Sequence, residues 1–147
     1  MKFAQFYQED SLGIITNRVF TELYRHMLRN LRAADLPVTP EQVSILVHLW
    51  KQEGLTQQVL ADRTGRDNPS VTRLVDNLEK RGLALRQPDP NDRRARLIFL
   101  SPEGRRLYRP VMDVANETLA VALRGLQEKQ IAQCTAVLKQ ILQNLGR

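Results

Sequence analysis

The stretch that decides the fold runs from Leu60 to Leu100, LADRTGRDNPSVTRLVDNLEKRGLALRQPDPNDRRARLIFL. Ala61 is small where two helices must cross closely, and Gly65 supplies the backbone freedom of a tight turn. Asn68-Pro69 has the form of a helix cap followed by proline. Val71, Leu74, Val75 and Leu78 then recur at i, i+3, i+4 and i+7, a buried helical stripe. Ser70, Thr72, Arg73, Asn77, Lys80 and Arg81 fall largely outside that stripe, and Gly82 ends the helix. Leu83–Gln87 and Arg96–Leu100 read as two short strands. Pro88 and Pro90 cannot donate to a ladder, so pairing is expected to stop near Gln87, with a projecting turn beyond it. Helix, tight turn, helix, strand, basic turn, strand is the order of a winged helix-turn-helix.

On the N-terminal side, Leu12, Ile15, Val19, Phe20, Leu23, Met27, Leu28 and Leu31 are helically spaced between Ser11 and Ala34, with Arg18, Arg25, Arg29 and Arg32 opposite. Pro37 ends that run. Thr39, Pro40 and Gln42 then form a capping box around a proline start. The helix they open, with VSILVHLW, is apolar nearly all round and should be central; Gly54 is expected to stop it. A short helix from Thr56 to Thr64 follows, capped by Thr56. On the C-terminal side, Ser101-Pro102 opens a long helix to about Arg124, with a kink expected at Pro110. Gly125 separates it from a last helix, Glu128 to Leu145, striped by Ile131, Cys134, Leu138, Ile141, Leu142 and Leu145. The fold class is therefore mostly α with a small β wing, an α+β winged helix-turn-helix. One domain over 1–147 is expected, with a DNA-binding lobe over 39–100.

Composition narrows the function. A chain of 147 residues suits one domain, and one cysteine excludes a disulfide framework or a Cys-based metal site within the chain. The start MKFAQFYQEDSLG has no leader-like apolar region and no run approaches a membrane span, so a cytoplasmic protein with no membrane partner is expected. Net charge is +6, and it is unevenly placed. Asp62 to Arg109 holds twelve Lys/Arg against seven Asp/Glu, so five of the six net charges sit in one third of the chain. Such a zone is either a polyanion footprint or a solvated basic surface. No HExxH, phosphate-cradling glycine loop or nucleophile with a base is present, and His26 and His48, the two histidines, lie on different helices. An enzyme is not expected, nor any cofactor or metal.

The second helix of a helix-turn-helix enters the major groove and presents its N-terminal residues to base edges. Here it starts at Asn68, so Ser70, Thr72 and Arg73 are the candidate readers, with Asn77 further along. Thr72 offers a methyl to thymine or a hydrogen bond, and Arg73 a bidentate contact to guanine. Arg73 could equally hold a phosphate or pair with Asp76 or Asn77. Thr56 and Gln57, at the start of the preceding helix, offer backbone N–H groups to a phosphate. A wing tip reaches the flanking minor groove, where arginine suits the negative potential of A·T-rich sequence. Arg94 is the candidate for insertion. Asp92 makes sense there if it grips a neighbouring guanidinium and shapes the wing. Arg93, Arg96 and Arg86 would then face phosphates or pair with Asp92.

Taken together, LADRTGRDNPSVTRLVDNLEKRGL and RQPDPNDRRARLIFLSPEGRRL resemble the MarR family of bacterial winged-helix regulators. The family's wing signature stands here as Asp92, Arg94, Leu100 and Ser101, with Ser in place of Thr; both can cap the helix that follows. The resemblance spans essentially the whole chain. It implies a homodimer, held by helices within 11–34 and 102–145, that grips an inverted-repeat operator in double-stranded DNA and regulates transcription, as a repressor. It also implies that Thr72, Arg73 and Arg94 touch DNA. Many such proteins answer small phenolic or aromatic-carboxylate effectors; Arg18, Arg25, His26, His48, Trp50, Tyr108 and Met112 are the pocket residues this sequence offers. The peroxide-sensing branch uses a cysteine near the N-terminus, which this chain lacks. Cys134 reads as a buried structural thiol, with a redox-responsive role as the alternative. The other rival is a sequence-tolerant architectural DNA-binding protein, marked by steep salt dependence and little base preference.

Overall fold

The structure, a computed structural model, describes residues 11–146. The leader-free reading of the first residues thus falls mostly outside it. Seven helices and a hairpin follow in order: α1 (Leu12–Ala33), α2 (Pro40–Lys51), α3 (Gln57–Thr64), α4 (Asn68–Lys80), β1 (Ala84–Pro88), β2 (Arg96–Leu100), α5 (Pro102–Arg106), α6 (Tyr108–Ala122) and α7 (Glu128–Asn144).

Local chemistry accounts for most of the boundaries. Thr39 accepts the Gln42 N–H while the Gln42 side chain accepts from Thr39 N–H at 3.0 Å, so two orphan donors of α2 are satisfied reciprocally. α2 ends at Lys51, before Gly54 is reached. Thr56 caps α3 by accepting from Val59 N–H, and Gly65 ends α3 at φ 66°, the left-handed region that favours glycine. α4 departs from expectation by one residue: its cap is Asp67, whose carboxylate accepts from Ser70 N–H at 2.7 Å, and Pro69 stands inside the first turn. Asn68 is left free to donate to Gln58 Oε1 instead, at 2.7 Å.

The long helix expected after Ser101 is two helices. The break falls at Leu107, not at Pro110 itself, because a proline acts on the carbonyl four residues back, here Arg106. In the hairpin, β1 pairs antiparallel with β2 from Ala84↔Leu100 to Pro88↔Arg96, one pair beyond the expected stop. A terminal proline is tolerated there because the next donor, Asp89 N–H, reaches Ala95 O at 3.2 Å. Sequence reading missed a third, one-residue strand. Leu55 bridges to Ile98, whose N–H donates to Leu55 O at 2.8 Å while Gly54 N–H donates to Ile98 O at 2.9 Å.

The core lies around α2. Ile45, Leu46 and Leu49 are fully buried against Leu60 of α3, Val71, Val75 and Leu78 of α4, Ile98 of β2 and Val111 of α6; α1 adds Leu31. Two fixings lock α5 onto this lobe. Trp50 donates its indole N–H to Gly104 O at 2.9 Å, and Arg105 forks onto Glu53, which holds the Arg105 guanidinium more firmly protonated than usual through that hydrogen bond. α7, by contrast, buries no residue. Cys134 is exposed on it, so the expected buried thiol is corrected: of the α7 stripe only Ile131 and Ile141 are half-buried, and the rest is exposed.

Candidate nucleic-acid interface

Capping and a buried stripe orient α4. With Val71, Val75 and Leu78 turned into the core, Arg73 and Asn77 are exposed and Ser70 and Thr72 half-exposed. Ser70, Arg73, Leu74 and Asn77 line a groove of about 240 Å³ with Glu41 and Arg66. At the start of α4 the Asp67 carboxyl is held below its usual range, first by the Ser70 backbone N–H and then by the Ser70 hydroxyl. That fixes the first turn of the helix in place.

The wing tip is built on short polar turns. Asp89 Oδ1 accepts from Asn91 N–H at 2.8 Å and Asp92 Oδ1 from Arg94 N–H at 2.9 Å, while Asp92 O accepts from Ala95 N–H at 3.0 Å. Asp92 therefore shapes the tip as expected, but through backbone N–H groups. Among the described residues no guanidinium pairs with it. An aspartate beside a turn meets the N–H two residues on without ordering a long side chain. Arg93, Arg94 and Arg96 stand exposed, and no hydrogen bond or ion pair is formed by their side chains among the described residues. The same holds for Arg73, whose two candidate surface partners are otherwise placed: Asp76 pairs with Arg86, and Asn77 faces the groove.

Arg86 is the departure. Expected to face a phosphate or pair with Asp92, it does neither: its guanidinium turns inward, pairing with Asp76 at 2.8 Å and with Glu79, and donating through Nε and Nη2 to Gln57 Oε1 at 3.2 and 2.9 Å. Gln57, placed at the first turn of α3 by the Thr56 cap, donates in turn to Thr72 Oγ1 at 2.7 Å. A signal for this existed in the sequence, because Asp76 and Glu79 stand three apart on one face of α4.

The effector residues are scattered. Trp50 and Tyr108 meet edge to face, with centroids 5.4 Å apart. Arg25 pairs with Glu22, and Arg29 donates to His26 Nδ1 at 2.8 Å. Arg18 is exposed and Met112 half-buried. His48 is half-buried on α2, and burial first, then the charges of Arg63 and Lys51, push its imidazole below the ordinary value. None of these seven lines the groove that does form beside α1, also about 240 Å³, walled by Phe20, Leu23, Met27 and Pro40 and closed by Tyr24, Glu41, Ser44 and Arg66. Tyr24 donates to Glu41 at 2.8 Å. Burial works to raise the Glu41 carboxyl, but hydrogen bonds from Tyr24, its own backbone and Thr39, together with Arg66, outweigh it and hold it low. The aromatic and charged residues of this groove leave no pattern in the sequence, because they sit on three elements far apart in the chain.

A helix-turn-helix with a basic three-stranded wing defines a DNA-binding regulator by its architecture, and comparison with known proteins specifies which kind. The MarR family model matches residues 38–95. The fold is similar to that of the S. aureus MepR–DNA complex, at 27% identity over 91% of this chain and 98% of that one, with a TM-score of 0.82. It is likewise similar to CouR from Rhodococcus jostii RHA1 bound to p-coumaroyl-CoA, at 27% identity over 90% and 92% of the two chains and a TM-score of 0.79. A MarR-family regulator from Rhodococcus sp. RHA1 is 29% identical over 88% and 91%, with a TM-score of 0.78. The chain belongs to the MarR family of winged helix-turn-helix transcriptional regulators, a family of DNA-binding proteins and not of enzymes.

Proposed function

We propose that this protein binds a pseudo-palindromic operator as a homodimer and represses transcription from it. The observation that carries the reading is the division among its arginines. Arg63, Arg81, Arg86, Arg105 and Arg106 each hold a partner within the chain, whereas Arg73 on α4 and Arg93, Arg94 and Arg96 on the wing are exposed without one. Unpaired guanidiniums on the recognition helix and on the wing are the groups a duplex would neutralise.

In this reading Ser70, Thr72, Arg73 and Asn77 enter the major groove, with Arg73 on a guanine edge. Arg94 enters the flanking minor groove, Arg93 and Arg96 lie along phosphates, and the N–H groups following Thr56 meet a phosphate at the start of α3. Asn68 stands at the rim of the same face. The dimer is supported by apolar side chains that one chain leaves in water: Leu12, Val19 and Phe20 on α1, Val137 and Leu142 on α7 and Leu145 just after it are all more than half exposed. Exposed apolar residues in such number on two helices mark an association site. The regions 11–34 and 102–145 are then the dimerisation helices and 39–100 the DNA-binding lobe. An aromatic effector would take the Phe20–Tyr24–Arg66 groove rather than the residues first expected, its ring against Phe20 and Met27 and an acidic group against Arg66. A relative that binds p-coumaroyl-CoA supports a ligand of aromatic character.

Selection of bound duplexes from a random DNA library at near-physiological salt tests the reading. The expected product is an inverted repeat with half-sites about 34–36 Å apart, one helical turn. Binding without enrichment, with a steep salt dependence, would establish a sequence-tolerant architectural protein instead.

A further inference from the structure

We propose that Arg66 is an anion site shared by two grooves: it holds an operator phosphate from the groove along α4, or the carboxylate of an aromatic effector from the groove beside α1, and serves one of them at a time. The inference rests on the operator and effector readings above and supplies the means by which one would release the other.

Two arginines are half-buried among the described residues, Arg66 and Arg86. Arg86 is paired with Asp76 and Glu79 and donates to Gln57. The Arg66 side chain forms no hydrogen bond or ion pair among the described residues. A guanidinium that has lost part of its water and gained no acceptor is poised to take an anion. Its backbone is fixed on both sides. The Arg66 N–H donates to Ala61 O at 3.1 Å, Gly65 before it ends α3, and Asp67 after it caps α4.

The two grooves meet at this residue: Arg66 and Glu41 line both. On one side the groove also holds Ser70, Arg73 and Asn77, the residues read as facing the major groove, and the anion there is a phosphate flanking the bases they meet. On the other side Phe20, Leu23 and Met27 offer an apolar wall to a ring, and Arg66 is the cation of that lining. One guanidinium carries one positive charge. A phosphate that neutralises it leaves little attraction for a carboxylate, and the reverse holds equally. Glu41, whose carboxyl is held low and so stays ionised at neutral pH, opposes any anion at this wall and adds to the repulsion that a second one meets.

The test uses the full-length wild type, Arg66→Gln and Arg66→Lys, each checked by thermal unfolding, with the selected operator duplex and two probes, cinnamate and its neutral amide. Arg66→Gln should weaken operator binding about tenfold or more, equally on duplexes with altered bases, and lower the salt slope by about one for each half-site. Arg66→Lys should restore the slope. In calorimetry the wild type should bind cinnamate about tenfold more tightly than the amide, and Arg66→Gln should lose that difference. Saturating cinnamate should bring the operator affinity and salt slope of the wild type down to those of Arg66→Gln and no further, and should leave Arg66→Gln unchanged. Glu41→Gln, which removes a negative charge from the same wall, should tighten binding of both operator and cinnamate; this keeps the test open if Arg66→Gln fails to fold. An unchanged salt slope in Arg66→Gln overturns the inference. So does cinnamate that fails to bind the wild type, or that weakens operator binding equally in wild type and Arg66→Gln. In each of these cases an inverted repeat from the selection leaves the operator reading standing, and cinnamate that binds without regard to Arg66 removes the sharing but not the effector. A wild type that prefers no base at any position overturns the operator reading as well.

Discussion

The lobe from α2 to β2 and the helix α7 are both amphipathic, yet they are finished differently. In the lobe, the apolar stripes of α2, α3, α4 and β2 face one another, and Ile45, Leu46, Leu49, Leu60, Val71, Val75, Leu78 and Ile98 are fully buried. In α7 an equally regular stripe is left in water, with Leu138, Leu142 and Leu145 between 38% and 74% exposed. Periodicity states that a helix has a face to bury; it does not state against what. The lobe closes its core within one chain, and α7 does not.

That contrast can be broken from either side. The largest effect is expected inside the lobe. Leu46→Ala should cost about 2–5 kcal/mol of stability, read by urea denaturation, because a cavity would open amid neighbours already packed from four elements. Gly104→Ala comes next. A Cβ there would stand 2.0 Å from the backbone oxygen of Leu83, so α5 must lift from the hairpin, at a cost of about 1–3 kcal/mol or more by the same measurement. Leu142→Asp should spare the lobe and strike association. Sedimentation should show the chain shifting toward monomer while circular dichroism keeps its helical content; unchanged association would assign the α7 stripe to some other cover. The smallest effect concerns pH. The Glu41 carboxyl is held low in the folded chain, so its contribution is present above the usual carboxylate range and is lost as pH falls through the lowered folded value. Denaturation at pH 7 and pH 3 should show a greater loss for the wild type than for Glu41→Gln, and equal losses would remove the Tyr24–Glu41 hydrogen bond from the list of stabilising contacts.

Within the lobe, much was legible from adjacent residues. Thr39, Thr56 and Ser101 cap helices as read, because a cap is a contract between a side chain and an N–H three residues on. The helix-turn-helix and its basic wing followed from spacing alone. The errors are equally local in kind. Asp67 and Asn68 are neighbouring cap formers, and proline fits either the first or second helical position, so the pattern could not separate them. The break at Leu107 was available from the rule that proline disturbs the residue four back. Gly104, by contrast, left no sign in the sequence of the backbone that crowds it.

The candidate interface divides in the same way. Which residues of α4 face outward follows from the 3.6-residue period and the position of the core, and that much belongs to the sequence. So do the class of fold, the basic turn and the family. Which arginines remain available for a duplex does not, since that depends on carboxylates brought near by folding. Arg86 and Arg94 are indistinguishable as residues of a basic hairpin. Tertiary structure gives the first to Asp76, Glu79 and Gln57 and leaves the second unpaired, because the start of β1 lies against α4 and α3 while the turn projects beyond them. Likewise the groove of Phe20, Tyr24, Glu41 and Arg66 exists only where α1, α2 and the α3–α4 turn converge. Backbone periodicity and capping act over a few residues and are written in order along the chain; pairing of charges and the shaping of grooves act through space, and only the packed chain decides them.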